Sequence, residues 1–326
     1  MRIHIQNVPG EKLFDITPEV WAEAVARSPD VGEGHQVSFG SGDAALAEAL
    51  RTAELLITPV SELHGRFPMA APALRLIFCL SAGLDRLAPF DWLPDGVLLL
   101  NNRGAHGAKA GEYAAMALLM LATGLPAMIA AQQAQRWEKR FASVLRGRNL
   151  TVVGLGGLGN AAVAQAAHFG MEITGVRTQA VPQAGCTRVV ATAELDAVLP
   201  TTEFLLLACP LTPATHHLMD RRRLALLPAG AAIINIGRGA LIEQEALCEL
   251  LDSGYLSGAV LDVFTPEPVP PGHRLWTTRN LVMTPHVSAD DPATYNPVSL
   301  DIFFENLREW QLGRALPNQV LVERGY

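Results

Sequence analysis

The chain has 326 residues, 49% of them hydrophobic and 17% charged, with a formal net charge of -7. This length supports two domains with separate cores, and the composition excludes a disordered chain. The acidic balance argues against a nucleic-acid binder, because the densest basic run, Arg221-Arg222-Arg223, is too short for a basic stripe and reads as the solvated start of a helix.

At the N-terminus, MRIHIQNVPG contains no apolar run of signal-peptide length, so the expected location is the cytoplasm. Short apolar runs then alternate with helix-like stretches: RIHIQ, ALAEALRTA, ELLITP, LRLIFCLSAG and GVLLLNN. That rhythm predicts a parallel α/β sheet. Residues 113–131, YAAMALLMLATGLPAMIAA, are apolar enough to pass a crude membrane-span screen. They are nevertheless Ala-rich, interrupted by Thr123, Gly124 and Pro126, and have neither an aromatic belt nor a second span. A helix buried between domains or subunits is the expectation, with no membrane as partner. After a polar stretch the alternation restarts at LTVVGLGGLG and continues through MEITGVR, TRVV, TEFLLLACP, AAIINIG, GAVLDVF and NLVMTPH, which predicts a second parallel sheet. The amphipathic LDIFFENLREWQLGRA comes too late to extend that sheet and is expected to pack on the first domain. The expected architecture is α/β, with two Rossmann-like parallel-sheet domains. A dinucleotide-binding domain at 103–288 is inserted into a substrate-binding domain formed by 1–102 and 289–326. The four cysteines, Cys79, Cys186, Cys209 and Cys248, form no CxxC pair, and neither a metal site nor a disulfide framework is expected.

Gly154, Gly156 and Gly159 match G-x-G-x-x-G between the strand-like LTVV and the helix-like NAAVAQAAHFG. The first glycine permits the tight turn, the second lets backbone approach a pyrophosphate, and the third lets helix pack on strand. At the end of the next strand, where an NAD-binding unit carries an acid for the ribose hydroxyls, MEITGVRT has Arg177 and Thr178. A guanidinium pairs with a 2'-phosphate and cannot accept a ribose hydroxyl, so NADP(H) is the expected cofactor and NAD(H) the alternative.

Three charged groups each follow a predicted strand: Arg238 after AAIINIG, Glu267 after GAVLDVF and His286 after NLVMTP. In an open α/β sheet, ligands bind beyond the carboxyl ends of the strands, so the three are expected to converge. Arginine offers a fork for a carboxylate and polarises a carbonyl; histidine passes a proton and is held charged and oriented by a neighbouring carboxylate.

Together these residues resemble the D-isomer-specific 2-hydroxyacid dehydrogenase family. The likeness covers nearly the whole chain: LSAGLD at 80–85, Glu112, LRGRNLTVVGLGGLG at 145–159, CPLTPAT at 209–215, INIGRGALI at 234–242, AVLDVFTPEP at 259–268 and LVMTPHVS at 281–288. The ending VERGY is similar to members grouped with glyoxylate and hydroxypyruvate reductases. The resemblance implies that Arg238, Glu267 and His286 are the catalytic set. It also implies that Asp262 lies near the nicotinamide amide, and that Leu158, Cys209, Pro210, Thr215 and Ile236 line the cofactor. Backbone around Ala82 and Gly83 would help hold the carboxylate of a small 2-oxoacid or D-2-hydroxy acid, such as glyoxylate or hydroxypyruvate. Members are usually homodimers joined through the long helix. Glu267 disfavours a formate dehydrogenase, whose branch pairs its histidine with glutamine, and a dinucleotide-sensing corepressor with this fold is the alternative reading. SADDPATYNP, after His286, leaves two readings open for Tyr295, which either reaches substrate or packs.

Overall fold

The computed structural model describes residues 1–10, 15–66 and 69–321; the VERGY ending lies outside the described residues. The chain divides into two compact units, Met1–Ala105 with Asp291–Tyr326, and His106–Asp290. The crossings thus fall at 105/106 and 290/291.

The first unit contains β1 (Arg2–Asn7), α1 (Pro18–Arg27), β2 (Gln36–Ser41), α2 (Asp43–Leu50), β3 (Leu55–Thr58), β4 (Leu76–Cys79) and β5 (Leu98–Leu100), numbering only helices of eight or more residues. All neighbours are parallel, in the order β2-β1-β3-β4-β5. Two of the three inner strands, LLIT and LIFC, are buried at every position. A parallel strand covered on both faces reads as a continuous apolar run, which is why these two are plain in the sequence. By contrast β2, QVSFGS, is a half-exposed edge strand that was not among the apolar runs expected.

The second unit carries α3 (Gly107–Thr123), α4 (Leu125–Gln133), β6 (Asn149–Val153), α5 (Gly157–His168), β7 (Glu172–Arg177), β8 (Arg188–Ala191), β9 (Phe204–Leu207), β10 (Ala232–Asn235), α6 (Gln244–Asp252), β11 (Gly258–Leu261) and β12 (Leu281–Met283). Its seven parallel strands run in the order β12-β11-β10-β9-β6-β7-β8. The chain therefore builds outward from β6 in one direction and then from β9 in the other. Between β6 and β9 the sheet has a topological switch point, where an open α/β sheet leaves a crevice at the strand carboxyl ends.

The single helix expected over 113–131 is two helices bent by 65°. Gly124, at φ 69°, ends α3 in the left-handed region, and Pro126 sits in the first turn of α4. One face of α3 is buried, with Ala110, Ala114, Ala117, Leu118 and Leu121, while Met116 and Leu119 are exposed. Among the described residues no single helix is long and apolar enough to cross a membrane; the bent pair meets that test by length and composition alone. Every arginine of the basic cluster is paired: Arg221 with Glu249 at 2.5 Å, and Arg222 and Arg223 both with Asp196 at 2.7 Å.

The chain then returns to the first unit as α7 (Tyr295–Gln311). Leu300, Phe303, Phe304 and Leu307 join Trp21 and Phe78 in the first unit's core, with the Trp21 and Phe304 rings 5.1 Å apart at an edge-on angle. Beyond α7, Gln319 bridges antiparallel to Leu100, with hydrogen bonds from Asn101 N–H to Asn318 and from Val320 N–H to Leu99. The first unit is thus completed by residues from the far end of the chain, and this accounts for a glycine turn lying in mid-sequence.

Candidate active site

In the second unit, the β6–α5 turn, the β9 loop and the β10 turn come together through backbone contacts that exclude a side chain. Gly154 has φ 95°, and a Cβ there would lie 2.6 Å from backbone atoms of Cys209. At Gly159 it would lie 1.8 Å from the Gly154 carbonyl oxygen. Gly156, the residue before α5, instead opens onto free space, as a phosphate approaching the α5 N-terminus requires. The three glycines therefore fit a dinucleotide: two serve close backbone packing and one leaves room for the ligand.

The remaining expected cofactor residues are distributed along these strand ends. Leu158 is in the first turn of α5, and Ile236 is buried just after β10. Cys209 is buried beside Gly154, and burial pushes its thiol up to about 12, so it is a neutral apolar wall near neutral pH. Thr215 donates its hydroxyl to the Pro210 carbonyl at 2.7 Å, and that hydroxyl also accepts from the Thr212 amide at 2.8 Å. It thereby closes the 210–215 loop. Arg177 is the half-buried last residue of β7, with Thr178 exposed beyond it. No carboxylate among the described residues pairs with the Arg177 guanidinium.

Arg238, Glu267 and His286 lie beyond the carboxyl ends of three consecutive neighbours in the sheet, β10, β11 and β12. Buried Asn235 shapes the Arg238 turn: its Nδ2 donates to the Arg238 carbonyl at 2.9 Å, and its Oδ1 accepts from the Gly237 amide at 3.0 Å. The turn packs directly on the backbone near Glu267, since a Cβ at Gly239 would sit 2.1 Å from the Phe264 carbonyl carbon. Arg238 donates to the Gly237 carbonyl through Nη1 at 2.8 Å. Glu267 accepts from the Phe264 amide at 2.7 Å through one oxygen and from His286 Nδ1–H at 2.9 Å through the other. That bond orients the imidazole and leaves Nε2 on the far side of the ring from Glu267.

His286 itself has φ 57°, a left-handed conformation uncommon outside glycine. The anchor for it is Asp262, whose side chain is fully buried. Its carboxylate accepts from Thr284 Oγ1 at 2.6 Å, from the Val287 amide at 2.9 Å and from the Ser288 amide at 2.9 Å, while its carbonyl accepts from the His286 amide at 2.9 Å. Because Thr284 gives its only hydroxyl proton to the carboxylate, Tyr113 must donate to Thr284 Oγ1 across their 2.6 Å contact. Burial pushes the Tyr113 phenol up to about 12, which keeps it protonated and able to donate near neutral pH. Both Asp262 oxygens are thus engaged by the turn that carries His286. Asn235, Thr284 and Tyr113 were not legible as site residues, and their one sequence signal is a polar group at the end of, or facing, a buried apolar run.

The Glu267 hydrogen bond raises the His286 pKa above its ordinary 6.5, against partial burial and the positive charge of Arg238. Ala82 and Gly83 belong to the first unit, in the turn after β4. Asn101 Nδ2 donates to the Ala82 carbonyl there at 3.2 Å.

The sequence profile of the D-isomer specific 2-hydroxyacid dehydrogenase NAD binding domain matches residues 115–288. The chain belongs to that family. Among its relatives, the glyoxylate/hydroxypyruvate reductase B of Pectobacterium carotovorum is 31% identical over 74% of this chain and 77% of its own. The D-3-phosphoglycerate dehydrogenase of Methanocaldococcus jannaschii is 30% identical over 84% of this chain, which spans only 53% of that longer relative. Among solved structures, a D-isomer specific 2-hydroxyacid dehydrogenase from Xanthobacter autotrophicus Py2, in complex with NADPH and MES, superposes with a TM-score of 0.82. Its sequence is 29% identical, and 99% of each chain is covered.

Replacing Glu267 by Gln removes the charge that favours imidazolium, so the His286 pKa should fall. A group whose pKa is raised by folding adds stability below its unfolded pKa and loses it as pH rises through the folded one, so this contribution should also shrink. Ring-proton NMR titration of the two proteins reads the shift; superimposable His286 curves would show that the pair does not act through charge.

Proposed function

We propose that this family member reduces a small 2-oxoacid, of the glyoxylate or hydroxypyruvate kind, to the D-2-hydroxy acid with NADP(H) as preferred cofactor. The observation that carries this reading is the His286–Glu267 pair, held at 2.9 Å with its proton affinity raised, at the strand ends beside Arg238. The residues around Gly154, Gly156 and Gly159 would hold the dinucleotide, which when bound supplies the hydride. This chain's residues supply the rest. His286 Nε2 gives its proton to the carbonyl oxygen, while Glu267 keeps the ring charged and oriented. Arg238 binds the carboxylate and polarises the carbonyl, and its fork gives recognition that a lysine lacks. Asp262 lies near the nicotinamide amide only insofar as the turn it anchors does. The relatives named as glyoxylate/hydroxypyruvate reductase and D-3-phosphoglycerate dehydrogenase support the 2-hydroxy acid class.

The test is turnover of 2-oxoacids, with and without a phosphate group, using NADPH. Wild type should reduce the small, unphosphorylated acids, and His286→Ala should lose roughly two to four orders of magnitude in kcat while still binding cofactor. Cofactor binding without turnover of any acid would favour the corepressor-type reading.

NADP(H) preference rests on Arg177, a half-buried cation at the β7 end, without a carboxylate partner among the described residues. The NADPH-bound neighbour is consistent with it. Arg177→Asp removes the phosphate partner and supplies a ribose acceptor, so the NADPH/NADH ratio of kcat/KM should fall by about fivefold to a hundredfold. An unmoved ratio would place cofactor selection elsewhere.

The same reading includes a homodimer in the cytoplasm. All four cysteines are free thiols, as a reducing compartment favours. Met116, Leu119 and Ile129 are exposed on α3 and α4, and Trp137 and Phe141 are 94% and 95% exposed in the segment that follows. Apolar groups left open to water in this number, on neighbouring parts of the chain, fit burial against a second copy. Analytical ultracentrifugation should give twice the chain mass for wild type and less for a Trp137→Asp, Phe141→Asp variant. A wild-type monomer at micromolar concentration would rule the dimer out.

A further inference from the structure

The segment after His286 that fitted no motif, SADDPATYNP, has its tyrosine at the first residue of α7. Tyr295 belongs to the first unit, and its hydroxyl donates to the carbonyl of Leu80, the residue just before the Ser81-Ala82-Gly83 turn. The same carbonyl accepts from Asn102 Nδ2 at 3.0 Å. One residue on, the Ser81 carbonyl accepts from the Asn102 amide at 3.1 Å, and the Ala82 carbonyl accepts from Asn101 Nδ2 at 3.2 Å. Three consecutive carbonyls are therefore each held by donors from α7 or from the residues after β5.

A second layer fixes those donors. Asn102, fully buried, also donates to Ser299 Oγ at 2.7 Å, and Ser299 Oγ–H returns to the Tyr295 carbonyl at 2.6 Å. Two residues on one face of α7, one turn apart, thus close a ring through Asn102 and Leu80. Orienting peptide carbonyls orients the amides on their other side, because each peptide unit is planar. The Leu80 carbonyl shares its plane with the Ser81 amide, the Ser81 carbonyl with the Ala82 amide, and the Ala82 carbonyl with the Gly83 amide. Among the described residues no acceptor takes the Ala82 or Gly83 amide.

We infer that Tyr295, with Asn101 and Asn102, is a positioning residue that sets the Ala82 and Gly83 amides for the carboxylate common to all 2-oxoacid substrates. The inference rests on the 2-oxoacid reading above and assigns Tyr295 no contact with substrate. It makes the returning helix part of substrate binding, since the far end of the chain aims the turn. A carboxylate gripped equally in ground and transition states contributes uniform binding, which appears in KM and not in kcat.

The experiment is steady-state kinetics of Tyr295→Phe, which deletes one hydroxyl and leaves the ring in place. KM should rise about three- to tenfold, the worth of one neutral hydrogen bond. The factor should be the same for every 2-oxoacid that wild type reduces, whatever its side chain, with kcat and the KM for NADPH unchanged. Asn101→Ala, which releases the Ala82 carbonyl and, on its other side, the Arg103 amide, should show the same signature and covers the case in which the tyrosine variant folds poorly. A merely structural role predicts the opposite split, with a smaller active fraction lowering apparent kcat at constant KM. That result, an unmoved KM in both variants, or a factor that differs between acids would overturn the inference while the oxidoreductase reading stands. A wild type that reduces no 2-oxoacid would overturn both.

Discussion

The Asp262 carboxylate is the interaction on which the geometry of the site depends. A charge sealed from water is tolerated only where donors replace its hydration, and here the donors are Thr284 and the amides of Val287 and Ser288. Meeting that demand folds residues 284–288 into one conformation. It also holds His286 in a left-handed backbone that residues other than glycine adopt uncommonly. The imidazole is then placed for Glu267, and Tyr113, by donating to Thr284, links α3 to the same anchor. Proton affinity at His286 is raised by Glu267, but the position at which His286 meets Glu267 is set by Asp262.

A second constraint is the closeness of backbone at the strand ends. Parallel strands bring their carboxyl ends to one edge, and the loops leaving them compete for the same space. Gly154, Gly159 and Gly239 resolve that competition by having no Cβ where another backbone passes. The result keeps the β6 turn, the β9 loop and the Arg238 turn in mutual contact. Gly156 differs in kind, because the space beside it is open rather than filled.

The two units solve related problems with different materials. In the second unit a carboxylate holds a turn through charge-assisted bonds; in the first, amides and hydroxyls of Asn101, Asn102, Ser299 and Tyr295 hold a turn through neutral ones. Neutral bonds are individually weaker, which is consistent with so many of them converging on three carbonyls.

By itself the sequence determined the alternating α/β order, the two sheets, the glycine turn and the placing of Arg238, Glu267 and His286 after strand ends. Each is a local signal: buried parallel strands are continuous apolar runs, and glycines and charged groups at strand ends need only their neighbours to be recognised. Tertiary structure decided what depends on residues far apart. Edge strand β2 is half-exposed and lacks the apolar run that marked the others. The break at Gly124 depends on a left-handed cap and a following proline within a composition that reads as one helix. The partners of Asp262 lie 22 to 26 positions away, and the partner of Tyr295 lies 215 positions away. No periodicity records such pairings, because they arise only when folded strands and a returning helix bring polar groups together out of water.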